Sequence, residues 1–221
     1  MSDFSVFVNF KTYKEASGEN SLNLAKICLK FSEEGFSVIP VVQALDLYRV
    51  TSQIKKPVWV QHFDDVLPGK FTGWITPEAV KESGGEGALL NHSEHPLPPG
   101  TVKHLVSKAR QNGLKTMVCV KTLGQLKRLV KFKPDFLGYE ISEFIGTATS
   151  ITEVSPKSVA KAVKICGEIP LIVGAGINKK EDLVKAKELG ARGVLISSAV
   201  VLAENQEQKL RELLSALSEE N

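Results

Sequence analysis

Eight short apolar runs rich in β-branched residues recur along the chain, separated by segments of different periodicity: FSVFVNF (4–10), FSVIPVV (36–42), PVWVQ (57–61), GALLN (87–91), LKTMVCV (114–120), DFLGYE (135–140), IPLIVG (169–174) and GVLIS (193–197). Runs this uniformly apolar, without polar alternation, read as parallel strands covered on both faces. The segments between them supply the cover. Leu24, Ile27, Cys28 and Phe31 share one helical face, as do Val102, Leu105, Val106 and Ala109, then Val159, Ala162, Val163 and Cys166, then Leu210, Leu213, Leu214 and Leu217. Gly35, Gly113 and Gly190 stand where such helices should stop, and Pro57, Pro134 and Pro170 stand just before or at strand starts.

An eightfold strand-then-helix alternation without a break in composition predicts a single-domain α/β protein spanning residues 1–221, an eight-stranded parallel (β/α)8 barrel. An open, doubly wound sheet is the competing architecture. It is disfavoured because no GxGxxG follows the first run and no GxxxxGK[ST] occurs, so the usual phosphate loops of nucleotide-binding sheets are missing. With 43% hydrophobic and 24% charged residues the chain is expected to be globular. Lys and Arg outnumber Asp and Glu by 28 to 25, too mild an excess for nucleic acid but suited to a small anion. The odd, scattered cysteines Cys28, Cys119 and Cys166 predict neither a disulfide framework nor a zinc site, and fit a reducing cytoplasm. MSDFSVFVNFK lacks a basic flank and a long apolar stretch, so neither signal peptide nor membrane span is expected and the mature chain is expected to begin near Met1.

In a closed barrel the chemistry belongs where strands end. The first run closes on Asn9 and Lys11, which the two-residue period of a strand places on one side; the fourth closes on Asn91, His92, Ser93 and Glu94; the sixth closes on Glu140. Each alone has a structural explanation: a snorkelling lysine, a hydrogen-bonding histidine, a rim carboxylate. Closure points Lys11, His92 and Glu140 at one cavity, where cation, imidazole and carboxylate form a proton-transfer set. VGAGI (173–177) and LISSAV (195–200) add small residues that allow close backbone approach after the last two strands, a common phosphate-binding arrangement in barrels.

These residues resemble the triosephosphate isomerase family, in its short archaeal form. The likeness rests on VNFKTY (8–13), TGWITPEAV (72–80), ALLNHSEH (88–95), TMVCV (116–120), YEISEFIGTATS (139–150) and VGAGI, in that order over essentially the whole chain. The resemblance implies interconversion of dihydroxyacetone phosphate and glyceraldehyde 3-phosphate through an enediolate, with Glu140 as base, His92 as neutral electrophile, Lys11 stabilising charge and Asn9 orienting oxygens. This family is itself the standard worked case of a glutamate paired with neutral imidazole, so that assignment is inherited. Glu94 would hold Lys11, and the substrate phosphate would lie on Ile145, Gly146, Gly176, Ser197 and Ser198. No metal and no cofactor are implied. Thr72 would reach a neighbouring subunit in a homodimer or homotetramer, cytoplasmic, with no nucleic acid or membrane partner.

The chain departs from the family pattern at the loop after Glu140. Ile141 replaces the usual proline, and Ala148 replaces a glycine, which reduces stiffness at one end and access to positive φ at the other. HPLPPG (95–100) and the Ser197-Ser198 pair also differ from most members. Two other readings are a phosphate-binding barrel lyase of aldolase type, which would need a Schiff-base lysine such as Lys115 or Lys121, and a non-catalytic triose-phosphate binder.

Overall fold

The computed structural model describes residues 4–141 and 150–218. The apolar runs form strands β1 (Ser5–Asn9), β2 (Ser37–Val42), β3 (Trp59–Val60), β4 (Gly87–Leu90), β5 (Lys115–Val120), β6 (Phe136–Tyr139), β7 (Leu171–Gly174) and β8 (Gly193–Ile196). They close into a barrel in the order β1 to β8, every pair parallel, with β8 returning to β1 through the register Ser5 opposite Gly193. Strand β3 is shorter than its run because Pro57 has no N–H to donate to a ladder. Gln61 N–H still donates to the Val42 carbonyl at 3.0 Å, which carries the pairing one step further.

Helices α1 (Glu19–Glu33), α2 (Ala44–Thr51), α3 (Pro77–Glu82), α4 (Pro99–Gln111), α5 (Leu123–Leu129), α6 (Ile151–Val154), α7 (Pro156–Cys166), α8 (Lys180–Glu188), α9 (Ser198–Val201) and α10 (Gln206–Ser215) surround the barrel. The four periodic faces read from the sequence fall on α1, α4, α7 and α10. Leu24, Cys28, Phe31, Leu105, Val159, Ala162, Leu210 and Leu213 are fully buried against the sheet, and Ile27, Val163 and Leu217 are half-buried at the margins of the same faces. Gly113 follows α4 at φ 64°, a left-handed stop that only glycine takes without steric cost.

Two apolar layers explain why the strands carry no polar alternation. Inside the barrel Phe7, Val41, Trp59, Leu89, Met117, Cys119, Ile172 and Leu195 form one cluster, while the alternate residues Val6, Val8, Val118, Val173 and Val194 face the helices. Phe7, Trp59 and Phe136 meet edge to face inside the barrel, with ring centroids 5.1, 5.4 and 5.8 Å apart. This arrangement is favoured by the ring quadrupoles and fills the centre with stiff side chains. The filled interior leaves chemistry to the rims.

Candidate active site

Asn9, Lys11, His92 and Glu140 line one pocket at the carboxyl ends of the strands, together with Gly176, Ser197 and Ser198. The sequence-predicted groups therefore converge, though Lys11 does so by a different route from strand alternation. Strand β1 stops at Asn9, and Lys11 sits beyond it at φ 47°, a left-handed conformation that costs a non-glycine residue about 1–2 kcal/mol. Two hydrogen bonds hold it there: its N–H donates to Asn9 Oδ1 at 3.0 Å, and its carbonyl accepts from Gln61 Nε2 at 2.8 Å. The Lys11 ammonium donates to Glu94 Oε1 at 2.6 Å with its side chain 15% exposed.

His92 follows Asn91, which also has positive φ, 59°, a conformation asparagine tolerates better than most residues. The Asn91 side chain is fixed from both ends, donating from Nδ2 to the Cys119 carbonyl at 2.7 Å and accepting the Leu97 N–H at 2.8 Å. That turn brings the Glu94 backbone N–H to within 3.2 Å of His92 Nδ1. An N–H can donate only to a ring nitrogen with a lone pair, so this contact selects neutral imidazole carrying its proton on Nε2. Nε2 lies 3.3 Å from Glu140 Oε2.

Glu140 is 5% exposed, held by its N–H donating to the Val120 carbonyl at 3.0 Å. Burial pushes its carboxyl pKa up, partly countered by the Lys11 ammonium and by a hydrogen bond from the Cys119 thiol. Among the described residues Oε2 accepts no hydrogen bond. A buried carboxylate with a raised pKa and an open oxygen is chemically a base.

Some determinants of this geometry were not read from the sequence. Gly174 gives Glu140 its place: a Cβ there would lie 2.5 Å from Oε1 and 2.7 Å from Cγ. VGAGI marked close approach, but the approaching group is the carboxylate. Cys119 touches Glu140 because β5 and β6 pair with Cys119 opposite Gly138. Asn178 also lines the pocket, donating from Nδ2 to the Gly176 carbonyl at 2.7 Å; Ala175 and Gly176 have φ 74° and 71°. Ser197 Oγ is buried without a partner among the described residues, and Ser198 opens α9, whose first N–H groups have no acceptor within the helix. Glu94 is in place beside Lys11, and Thr72 is exposed on the loop after β3. Ile145, Gly146 and Ala148 lie outside the described residues.

Comparison with known proteins adds an independent line. The family model described as triosephosphate isomerase matches residues 4–216. The triosephosphate isomerase of Methanocaldococcus jannaschii is 37% identical over 214 residues, covering 95% of this chain and 98% of that protein. That of Methanobrevibacter smithii is 37% identical over 217 residues, covering 96% and 98%, and that of Methanosarcina acetivorans is 33% identical over 214 residues, covering 95% and 96%.

Proposed function

The chain belongs to the triosephosphate isomerase family and interconverts dihydroxyacetone phosphate and D-glyceraldehyde 3-phosphate; we propose that Glu140, His92, Lys11 and Asn9 carry this reaction. Glu140 takes a proton from the carbon next to the carbonyl and returns it to the adjacent carbon. Negative charge grows on the substrate oxygens as the proton leaves, and preorganised donors aimed at it lower the barrier. The Nε2–H of His92 is such a donor and can pass its proton between the two oxygens of an enediolate. A neutral imidazole suits that exchange because its pKa as a donor is closer to that of the enediol than an imidazolium's would be.

Lys11 supplies a fixed positive charge beside the same oxygens, and Glu94 keeps its ammonium in place. The observation that carries the reading is the Glu94 N–H on His92 Nδ1 with Glu140 Oε2 beside Nε2, since it sets the tautomer and brings base and electrophile together. The phosphate is assigned to Ile145, Gly146, Gly176, Ser197 and Ser198, supported for the last three by their place in the pocket. The chemistry draws its acid, base and charge stabilisation from side chains, so no metal or cofactor enters the proposal.

The proposed assembly is a homodimer or homotetramer built on the loop carrying Thr72. Leu67 is 62% exposed, Phe71 47% and Trp74 56% on that loop, and Leu45 and Tyr48 on α2 are 94% and 70% exposed. Large apolar side chains left this open mark an interaction surface. No helix among the described residues is long and apolar enough to cross a membrane. A cytoplasmic location is proposed, supported by the buried free thiols of Cys28, Cys119 and Cys166.

The direct test is a coupled isomerase assay on the purified protein beside Glu140→Gln. Turnover of glyceraldehyde 3-phosphate by the wild type, lost by at least about 10²-fold in the variant, is expected of a general base. Wild-type turnover with a loss below about tenfold in the variant would remove Glu140 from that role.

A further inference from the structure

Among the described residues a second cavity lies at the opposite end of the barrel from Glu140. It encloses about 960 Å³ at the amino ends of the strands, within the size range of small-molecule sites. Strand register explains why it is open. Phe7, Ile39 and Met117 pack into the barrel interior, so the two-residue period turns Ser5, Ser37 and Lys115 inward one layer below them. Barrels ordinarily close this layer with bulky branched side chains. Here the layer holds two serines, whose hydroxyls meet at 3.0 Å, and the exposed Lys115. The floor is apolar: Trp59, Phe136 and Ile39 line the cavity, Trp59 buried beneath and Phe136 and Ile39 half-buried where the barrel interior should be sealed.

The charge around this floor is lopsided. Lys56 and Lys115, both exposed, line the cavity against Glu34 and Glu86. Glu34 is already committed, since Arg211 donates to both of its carboxylate oxygens at 3.1 Å. The lining therefore offers the Lys56 and Lys115 ammonium groups and serine hydroxyls beside the half-buried Phe136 and Ile39. We propose that the amino-terminal mouth of the barrel is a second binding site, for an anion with an apolar body, seated on Phe136 and Ile39 above the buried Trp59 with its charged group on Lys56 and Lys115. None of the residues lining this cavity lines the pocket of Glu140, so the proposal stands or falls independently of that site.

The chain has two tryptophans, and Trp74→Phe leaves Trp59 as the sole reporter. Titration of this variant with anilinonaphthalene sulfonate should quench Trp59 saturably at one site per chain, with energy transfer to the probe. The double variant Lys56→Glu and Lys115→Glu, both at exposed positions, should weaken that binding by about tenfold or more while isomerase turnover is unchanged. Ser37→Leu, which fills the inward layer, should also abolish the Trp59 signal in a protein that still turns over substrate. The proposal is overturned if probe binding leaves Trp59 emission unmoved, or if charge reversal with turnover intact changes the dissociation constant by less than about twofold.

Discussion

Replacing Gly174 by alanine tests the placement of Glu140 without touching its chemistry. The added Cβ would stand 2.5 Å from Oε1, 2.7 Å from Cγ and 2.9 Å from Cδ of Glu140. Carbon reaches its ordinary contact distance at about 3.5 Å, so the carboxylate must retreat by about 1 Å. It has little room to do so, being 5% exposed and flanked by His92 and Cys119. A displacement of that size between a base and its target costs about 10²-fold in rate, and overpacking a filled site costs about 1–3 kcal/mol of stability. The expectation for Gly174→Ala is thus kcat lower by about 10²-fold, KM within about threefold of wild type and a modestly lower melting temperature. Steady-state kinetics at several substrate concentrations, with thermal melts on the same preparations, read all three. A variant that melts lower yet keeps kcat within about threefold would refute the reasoning, because the carboxylate would then not depend on its slot.

Further outcomes follow from the same geometry. The folded-state pKa of Glu140 is raised above its ordinary 4.5, so protonated Glu140 is favoured by folding below that value, and this contribution is lost as pH rises through the raised pKa. Glu140→Gln should accordingly melt higher than wild type at neutral pH, with the gap closing towards pH 4, while the acid limb of wild-type kcat/KM should lie above 4.5. Glu94 is 55% exposed, so Glu94→Gln should change stability by no more than about 1 kcal/mol; loss of its contact with Lys11 should raise KM, measured by the same assay. Trp74→Glu places a charge on the exposed apolar loop and should shift sedimentation velocity towards monomer at micromolar concentration.

The fold was legible because burial on both faces leaves a plain signature: Val6, Phe7 and Val8 are each fully buried, two facing helices and one facing the barrel interior. Helix faces were equally plain, since Leu105 and Ala109 recur at the helical spacing and are both fully buried. The catalytic candidates were legible by their place after strands, but their fine geometry was not. Lys11 reaches the pocket through a left-handed turn secured by Asn9 and Gln61, a conformation that side-chain alternation does not encode. The contact between Gly174 and Glu140 joins neighbouring strands β7 and the end of β6, and depends on a register that no local pattern specifies. The His92 tautomer likewise depends on one backbone N–H two residues away. The open amino-terminal mouth becomes visible only once Ser5, Ser37 and Lys115 are known to face inward together.

Deuterium transfer tests the role of Glu140 most directly. Glyceraldehyde 3-phosphate converted in D2O should yield dihydroxyacetone phosphate carrying solvent deuterium at the carbon that received the proton, because an abstracted proton on Glu140 exchanges with solvent before its return. Proton NMR of the product gives that incorporation for the wild type and for Glu140→Gln at matched substrate saturation. Rapid enzymatic incorporation by the wild type, with the variant near the uncatalysed background, is the predicted result. Incorporation by Glu140→Gln within about tenfold of the wild-type rate would contradict the assignment of Glu140 as the base.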